Sequence, residues 1–390
     1  MRVGIGPGPV PAVTLRGLTW DHPRATGPLF GSLKAFHSLR PDVSINWDVQ
    51  PLSGFEFHPV HELAERYDLL VFDHPHVGEI ACKKSLLPLG ELLAHPDPET
   101  FVGSSLASYR YAGQLWGMPI DAACQVAVYR ADLLARVGGQ IPHNWSQVLA
   151  LAERARAEKL SLAIAFSGVH ALMTLFSLCA NHGYPLADEL GVPCIDEGVL
   201  NIALDNMLRL LDYCPRAVLD WNSIELQNAM SSRDDLVYCP AVYGFCTYAM
   251  DGAKRRLNYA DLPGVVSDSC AGSTLGGAGI GISAGTVAVD AACSYLQFLS
   301  QRDTQVELFP AYLGQPAHVA AWHSRTANER YQGFFEHTRA TLEQAWVRPR
   351  FDGYLKVQLE GGMLVEGHLR GELTRAKLLD QLRKIWRDAG

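Results

Sequence analysis

Residues 67–78 read YDLLVFDHPHVG, and this stretch decides the fold. Tyr67 to Phe72 is a nearly continuous apolar run, the pattern of a strand covered on both faces as in a parallel sheet. It stops at Asp73-His74-Pro75-His76, a turn. Working upstream, Thr14 to Trp20 predicts a first strand, Leu29 to Leu39 a helix, and Val43 to Trp47 a second strand whose Val43, Ile45 and Trp47 alternate with polar neighbours. A short helix over Val60 to Glu65 leads into the third strand. Strand, helix, strand, helix, strand describes an α/β lobe.

Downstream, Trp116 to Arg130 predicts two strand-like pieces around Pro119 and Asp121, suited to a crossing between lobes. Trp145 to Lys159 predicts an amphipathic helix with Asn144 as its N-cap. Helices are expected at Ala171 to Asn181, Gly198 to Tyr213, Val289 to Gln301 and Leu373 to Asp388, the last packing on the second lobe. Gly276 to Ser283 reads as a glycine-rich strand.

The 390 residues suffice for two domains, each with its own core. Charged residues are 19% and apolar ones 48%, a globular composition. The net charge of -8 is dispersed, and no basic stripe awaits nucleic acid. No apolar run is long enough to span a bilayer, so a soluble protein is expected. Met1-Arg2 leads into Gly4, Gly6, Pro7, Gly8, Pro9 and Pro11, which would break a secretory signal helix. The first cysteine is Cys82, too late for a lipid anchor, and the nine cysteines are scattered without a metal or redox pair. A cytoplasmic protein with all nine as small core residues is the expectation.

The order of pieces resembles the extracellular solute-binding proteins of the sugar-type ABC-importer family over nearly the whole chain. The resemblance is carried by YDLLVFDHPHVG (67–78), LLPLGELL (86–93), GQLWGMPIDAACQVAVYRADLL (113–134), PHNWSQVLALAERA (142–155), STLGGAGIGISAGTVAVDAACSYLQFLS (273–300), YLGQPAHVAAWHS (312–324) and VRPRFDGY (347–354). Each is weak alone; together and in order they are specific. DDLVYCPAVYGFCTYAM (234–250) departs from the Gly-x-Ala-Ala-Met type of helix start usual there, and no export signal is read. The resemblance implies an α/β, two-lobed periplasmic-binding-protein-like fold of type II, with an interlobe cleft and hinge crossings. The implied division is 1–122 plus 276–320 for lobe 1 and 123–275 plus 321–390 for lobe 2.

In open α/β sheets ligands sit beyond the carboxyl ends of the strands. That rule selects Trp20, Asp21, His22 and Arg24 after the first strand, Asp48 after the second, and Asp73, His74 and His76 after the third. Asp121 sits at the crossing, and the resemblance also turns it toward the cleft. WDHPR (20–24) and DHPH (73–76) share Asp-His-Pro, in which the proline holds each histidine extended. Paired with Asp21 and Asp73, His22 and His74 could act as base and acid. Alternatively these are turn prolines with capping aspartates. Trp20 could stack on a sugar face or simply form part of the lobe contact. Ser167 and His170, Tyr243 and Tyr248, Gly276 and Gly277, and Arg348 and Arg350 complete the candidates; one of the two arginines is expected to grip a ligand and the other to form a surface salt bridge.

Gly4-x-Gly6-x-Gly8 is interrupted by Pro7 and fails as a dinucleotide loop, while Gly277-x-Gly279-x-Gly281 enters a strand and marks close backbone approach at the hinge. A lone His74-x-His76 is a weak metal pattern, and neither metal nor cofactor is expected. The reading is binding of a small polar solute such as a carbohydrate, sugar acid or hydroxy acid. A cytosolic, cofactor-independent isomerase, dehydratase or lyase on the same fold is the alternative, and a sensor passing closure to a partner a third. Without export, an ABC permease is not an expected partner.

Overall fold

The computed structural model describes residues 13–389 except 91, 94, 95, 189 and 190. The Gly4-x-Gly6-x-Gly8 segment lies outside the described residues. Among the described residues there are nine strands: β1 (Val13–Trp20), β2 (Val43–Gln50), β3 (Leu69–Phe72), β4 (Arg110–Tyr111), β5 (Gln114–Leu115), β6 (Met118–Tyr129), β7 (Tyr238–Tyr243), β8 (Asn258–Ala260) and β9 (Leu275–Ile282). β4 and β5 form a separate hairpin. The rest make one sheet in the order β2-β1-β3-β9-β6-β7, with β8 also against β6.

β1 runs parallel to β2 and to β3, and all four residues of β3 are buried, as the apolar run requires. β9 then pairs antiparallel with β3 on one side and with β6 on the other. β6 is one continuous strand of 12 residues rather than two pieces. Its register slips between Pro119 and Asp121, because proline has no N–H to give the ladder. Up to Cys124 it pairs with β9; from Gln125 it pairs with β7 and β8. One strand therefore runs through both halves of the sheet, and Asp121 sits where the pairing is about to change.

The first helix runs Pro23–Leu39, six residues earlier than the sequence pattern suggested. Pro23 occupies its first turn, where a missing N–H is harmless, and Pro28 is carried inside. Asn144 caps the helix Trp145–Ala157, accepting from Gln147 N–H at 3.0 Å. Helices at Leu52–Phe57, Ser223–Ser232, Phe334–Glu343 and Tyr354–Arg370 were not apparent in the sequence. Tyr354–Arg370 packs across Val169–Asn181, and the last helix, Arg375–Ala389, packs on Tyr354–Arg370.

The cysteines are free and do not all belong to the core. Cys124, Cys179, Cys239 and Cys246 are buried, whereas Cys82 and Cys194 are exposed. No helix among the described residues is long and apolar enough to cross a membrane.

Candidate functional site

The carboxyl ends of the parallel strands open onto a cavity of about 620 Å³, counting its mouth. Trp20 closes β1, the helix Leu52–Phe57 after β2 supplies Leu52, Phe55 and Glu56, and Asp73 follows β3. The opposite wall is built by Val169, His170 and Met173 at the start of their helix, by Ser223, and by Tyr243 and Phe245 at the end of β7. Asp121 on β6, Gly276 to Ala278 on β9, and Arg348 with Gln358 close the back.

Two buried ion pairs anchor these walls. Arg24 grips Asp121 with a fork: Nε donates to Oδ2 at 2.7 Å and Nη2 donates to Oδ1, while Nη1 donates to the Gly244 carbonyl at 3.0 Å. Its guanidinium lies 4.7 Å over the ring of Phe245 and 5.9 Å over that of Trp20. Arg348 donates from Nη2 to Asp73 Oδ2 at 2.6 Å, from Nε to the Leu275 carbonyl at 3.1 Å and from Nη1 to Gln358 Oε1 at 3.0 Å. Burial works against the Asp73 carboxylate, but Arg348 and His74 hold it well below the usual carboxylate range. At Asp121 burial prevails over Arg24, and its pKa is raised.

Glu56 has no such partner. Burial, with Asp73 nearby, pushes its carboxyl up to about 8, so it is a carboxylic acid at neutral pH. Its Oε1 lies 3.8 Å from Nε2 of His170, whose Nδ1 is 3.2 Å from Ser223 Oγ. Burial lowers His170 to about 4, leaving a neutral imidazole.

The apolar surface is aromatic. Phe55 tilts against Trp20 with centroids 5.7 Å apart, and Phe245 meets the Trp20 ring edge-on at 5.9 Å. Tyr243 lies against the backbone of Gly276, where any Cβ would come within 2.7 Å of its ring. Gly277 has φ +110°, and a Cβ there would stand 2.5 Å from the Asp121 carbonyl. The tight approach of β9 to β6 and β7 is what brings Asp121 and Tyr243 to the same space.

No family model matches the chain, and no curated protein matches it. Solved structures do. Maltose-bound MalE3 of T. maritima superposes with a TM-score of 0.81 at 20% identity, covering 97% of this chain and 99% of that one. The GacH receptor of Streptomyces glaucescens GLA.O gives 0.80 at 18% identity, covering 97% and 99%. An ABC transporter solute-binding protein of Thermotoga lettingae TMO, bound with alpha-D-tagatose, gives 0.81 at 17% identity, covering 97% and 100%. The chain has the fold of the sugar ABC-transporter solute-binding proteins.

Within this two-lobed fold the cavity is the cleft, and it gathers Trp20, Arg24, Asp73, Asp121, His170, Tyr243, Gly276, Gly277 and Arg348 from the sequence candidates. The others face elsewhere. Asp21 is exposed, and Asp48 is exposed beside Arg16 at 3.4 Å. His22 is the N-cap of the first helix: its Nδ1 accepts from Arg24 N–H at 3.1 Å, and its ring stacks behind Trp20 at 5.4 Å. Burial and Arg24 lower its pKa to about 3. His74 is fully buried edge-on to Tyr109, its Nδ1 3.1 Å from Asp73 Oδ1 but off the hydrogen-bonding direction. His76 is buried near Glu79 at 3.9 Å. Neither imidazole of the proposed acid–base pairs lines the cleft: His22 turns back to cap the first helix, and His74 is packed in the interior against Tyr109.

Ser167 stands in the turn before Val169–Asn181, and Tyr248 donates to Asn228 Oδ1 at 2.9 Å behind Phe245. Arg348 forms a buried pair in the cleft wall, while Arg350 donates to the carbonyls of Ala107 and Ser108. Glu56, Phe55, Met173, Ser223, Phe245 and Gln358 were missed. Leu52, Phe55 and Glu56 fall on one face of a short helix beginning two residues after β2, so the strand-end rule could have found them. Among the described residues no group of three or more His, Cys, Asp or Glu could hold a metal ion.

Proposed function

We propose that the protein binds one small polar solute, of carbohydrate or polyol character, in the cleft. The observation that carries this is a cavity walled by aromatic rings from opposite sides and edged by hydrogen-bonding groups with capacity left over. Each of Arg24 and Arg348 engages three of its five N–H groups with protein acceptors. The Tyr243 hydroxyl has no partner among the described residues. Rings cover the apolar face of a polyhydroxylated solute while the spare donors and acceptors fix its hydroxyls.

Similar solved structures hold maltose, D-mannitol, ribitol and alpha-D-tagatose, which supports the solute class. Turnover by His22 and His74 lacks support, since both are outside the cleft. The test is thermal shift and solute depletion with those four compounds and a small-molecule cell extract. A rise in Tm without depletion is expected, and Trp20→Ala should abolish it. Depletion of a solute would move the protein to the enzymes; no Tm rise with any compound or with the extract would end the binding reading.

A further inference from the structure

Besides His170, five side chains that can carry full charge face the cleft, and four cancel in pairs: Arg24 with Asp121, Arg348 with Asp73. The fifth, Glu56, has no arginine or lysine within ion-pair distance among the described residues. It makes no side-chain hydrogen bond to any of them. Its side chain is one-fifth exposed and lines the cavity, with neutral His170 at 3.8 Å. Beside it on the same short helix is Phe55, which packs on Trp20.

A solute carboxylate would find both guanidiniums already matched and would meet Glu56 as well. A cation would find an unmatched acid and the negative faces of aromatic rings. We propose that the cleft selects a polar solute carrying an ammonium group, such as an amino sugar or amino polyol, with Glu56 as its counter-ion and Trp20, Phe55 and Tyr243 around it. This rests on the binding reading above and adds the charge of the ligand. The groups facing Glu56 are Asp73, which resists its ionisation, Arg348, which favours it, and the uncharged His170 and Ser223. An ammonium beside Glu56 would draw off its proton, so binding near pH 7 releases a proton to the buffer.

The experiment is titration calorimetry at pH 7, in two buffers of different ionisation enthalpy, on the full chain and on Glu56→Gln. The probes are matched pairs: 1-amino-1-deoxysorbitol with sorbitol, glucosamine with glucose, galactosamine with galactose; choline is added as a simple cation. At least one amine is expected to bind about tenfold or more tighter than its neutral counterpart, the range of a charge-assisted hydrogen bond. That preference should fall to within about twofold in Glu56→Gln, and proton release should disappear with it. Equal or tighter binding of the neutral members, a preference that survives Glu56→Gln, or no binding by any amine overturns the inference. If neutral sugars alone bind, the binding reading stands and only the charge assignment falls. If no probe and no component of a cell extract binds, both fall. Glu56→Gln preserves volume, and an unchanged urea midpoint at pH 5 confirms that it folds.

Discussion

Replacing Asp73 with asparagine tests the pair that joins the end of β3 to the last part of the chain. The side chain of Arg348 is 4% exposed and that of Asp73 12%, so water can solvate neither charge if the other is lost. Breaking a buried pair from one side costs about 3–5 kcal/mol, mostly the penalty of leaving an uncompensated charge. The carboxylate accepts from the His74 N–H at 2.9 Å through Oδ1 and from Arg348 through Oδ2, whereas asparagine has one acceptor oxygen and can serve only one of them; Gln358 and the Leu275 carbonyl still hold the guanidinium. The loss should therefore fall within that range, about 3–5 kcal/mol. The control is Asp48→Asn, whose pair with Arg16 is 56% and 55% exposed; about 0–1 kcal/mol is expected there. Urea unfolding at pH 7 measures both, provided the slope with denaturant is unchanged. Adding Arg348→Met to Asp73→Asn should recover part of the loss, since removing the stranded charge relieves its burial. The pH dependence has a definite sign. The folded Asp73 pKa lies below its ordinary 3.8, so the stability it adds is present above that value and is lost as pH falls. The gap between wild type and Asp73→Asn should be full at pH 5–7 and narrow below about pH 4. A loss under about 1 kcal/mol at pH 7, no larger than for Asp48→Asn, would refute the account of a desolvated pair.

Two further outcomes follow from the same geometry. Glu56 titrates near 8 in the fold against an ordinary 4.5, so between those values the folded chain keeps a proton that the unfolded chain has released. Stability of the unliganded protein should fall as pH rises from 5 to 8, by on the order of 2–4 kcal/mol relative to Glu56→Gln, which lacks this titration; parallel urea-derived stability curves for the two proteins would contradict it. In the helix Tyr354–Arg370, a Cβ at Gly362 would stand 2.7 Å from the Val169 backbone nitrogen, while one at Gly367 would meet nothing closer than 3.9 Å. Gly367→Ala should raise Tm through helix propensity worth about 1 kcal/mol, whereas Gly362→Ala, overpacked by about 1–3 kcal/mol, should lower it and shift His170 and Gln358; equal effects of the two would deny the close approach.

The helix carrying Gly362 also shows where sequence reading runs out. Its Gly361-Gly362 pair argues locally against a helix, since glycine is a poor helix former. At Gly362 the helix Val169–Asn181 crosses so close that a side chain has no room, while at Gly361 the nearest atom is the end of the Leu172 side chain at 3.1 Å. Gln358, on that helix, was missed with it. By contrast β3 was legible, because four consecutive buried apolar residues record burial on both faces in the sequence itself. Asn144 was legible too, since a capping side chain acts on a backbone group three residues away.

Local patterns of this kind determine the succession of strands and helices, hence the two-lobed α/β architecture and the strand ends from which a cleft must be built. They do not determine which polar groups at those ends face it. His22 and Arg24 are two residues apart, yet one turns back to cap a helix while the other reaches Asp121, 97 residues on. Arg348 became a cleft residue through an acid 275 positions away, and Glu56 became a lone acid because no arginine or lysine among the described residues pairs with it. Charge compensation is a property of distances in space, and only the tertiary packing sets those.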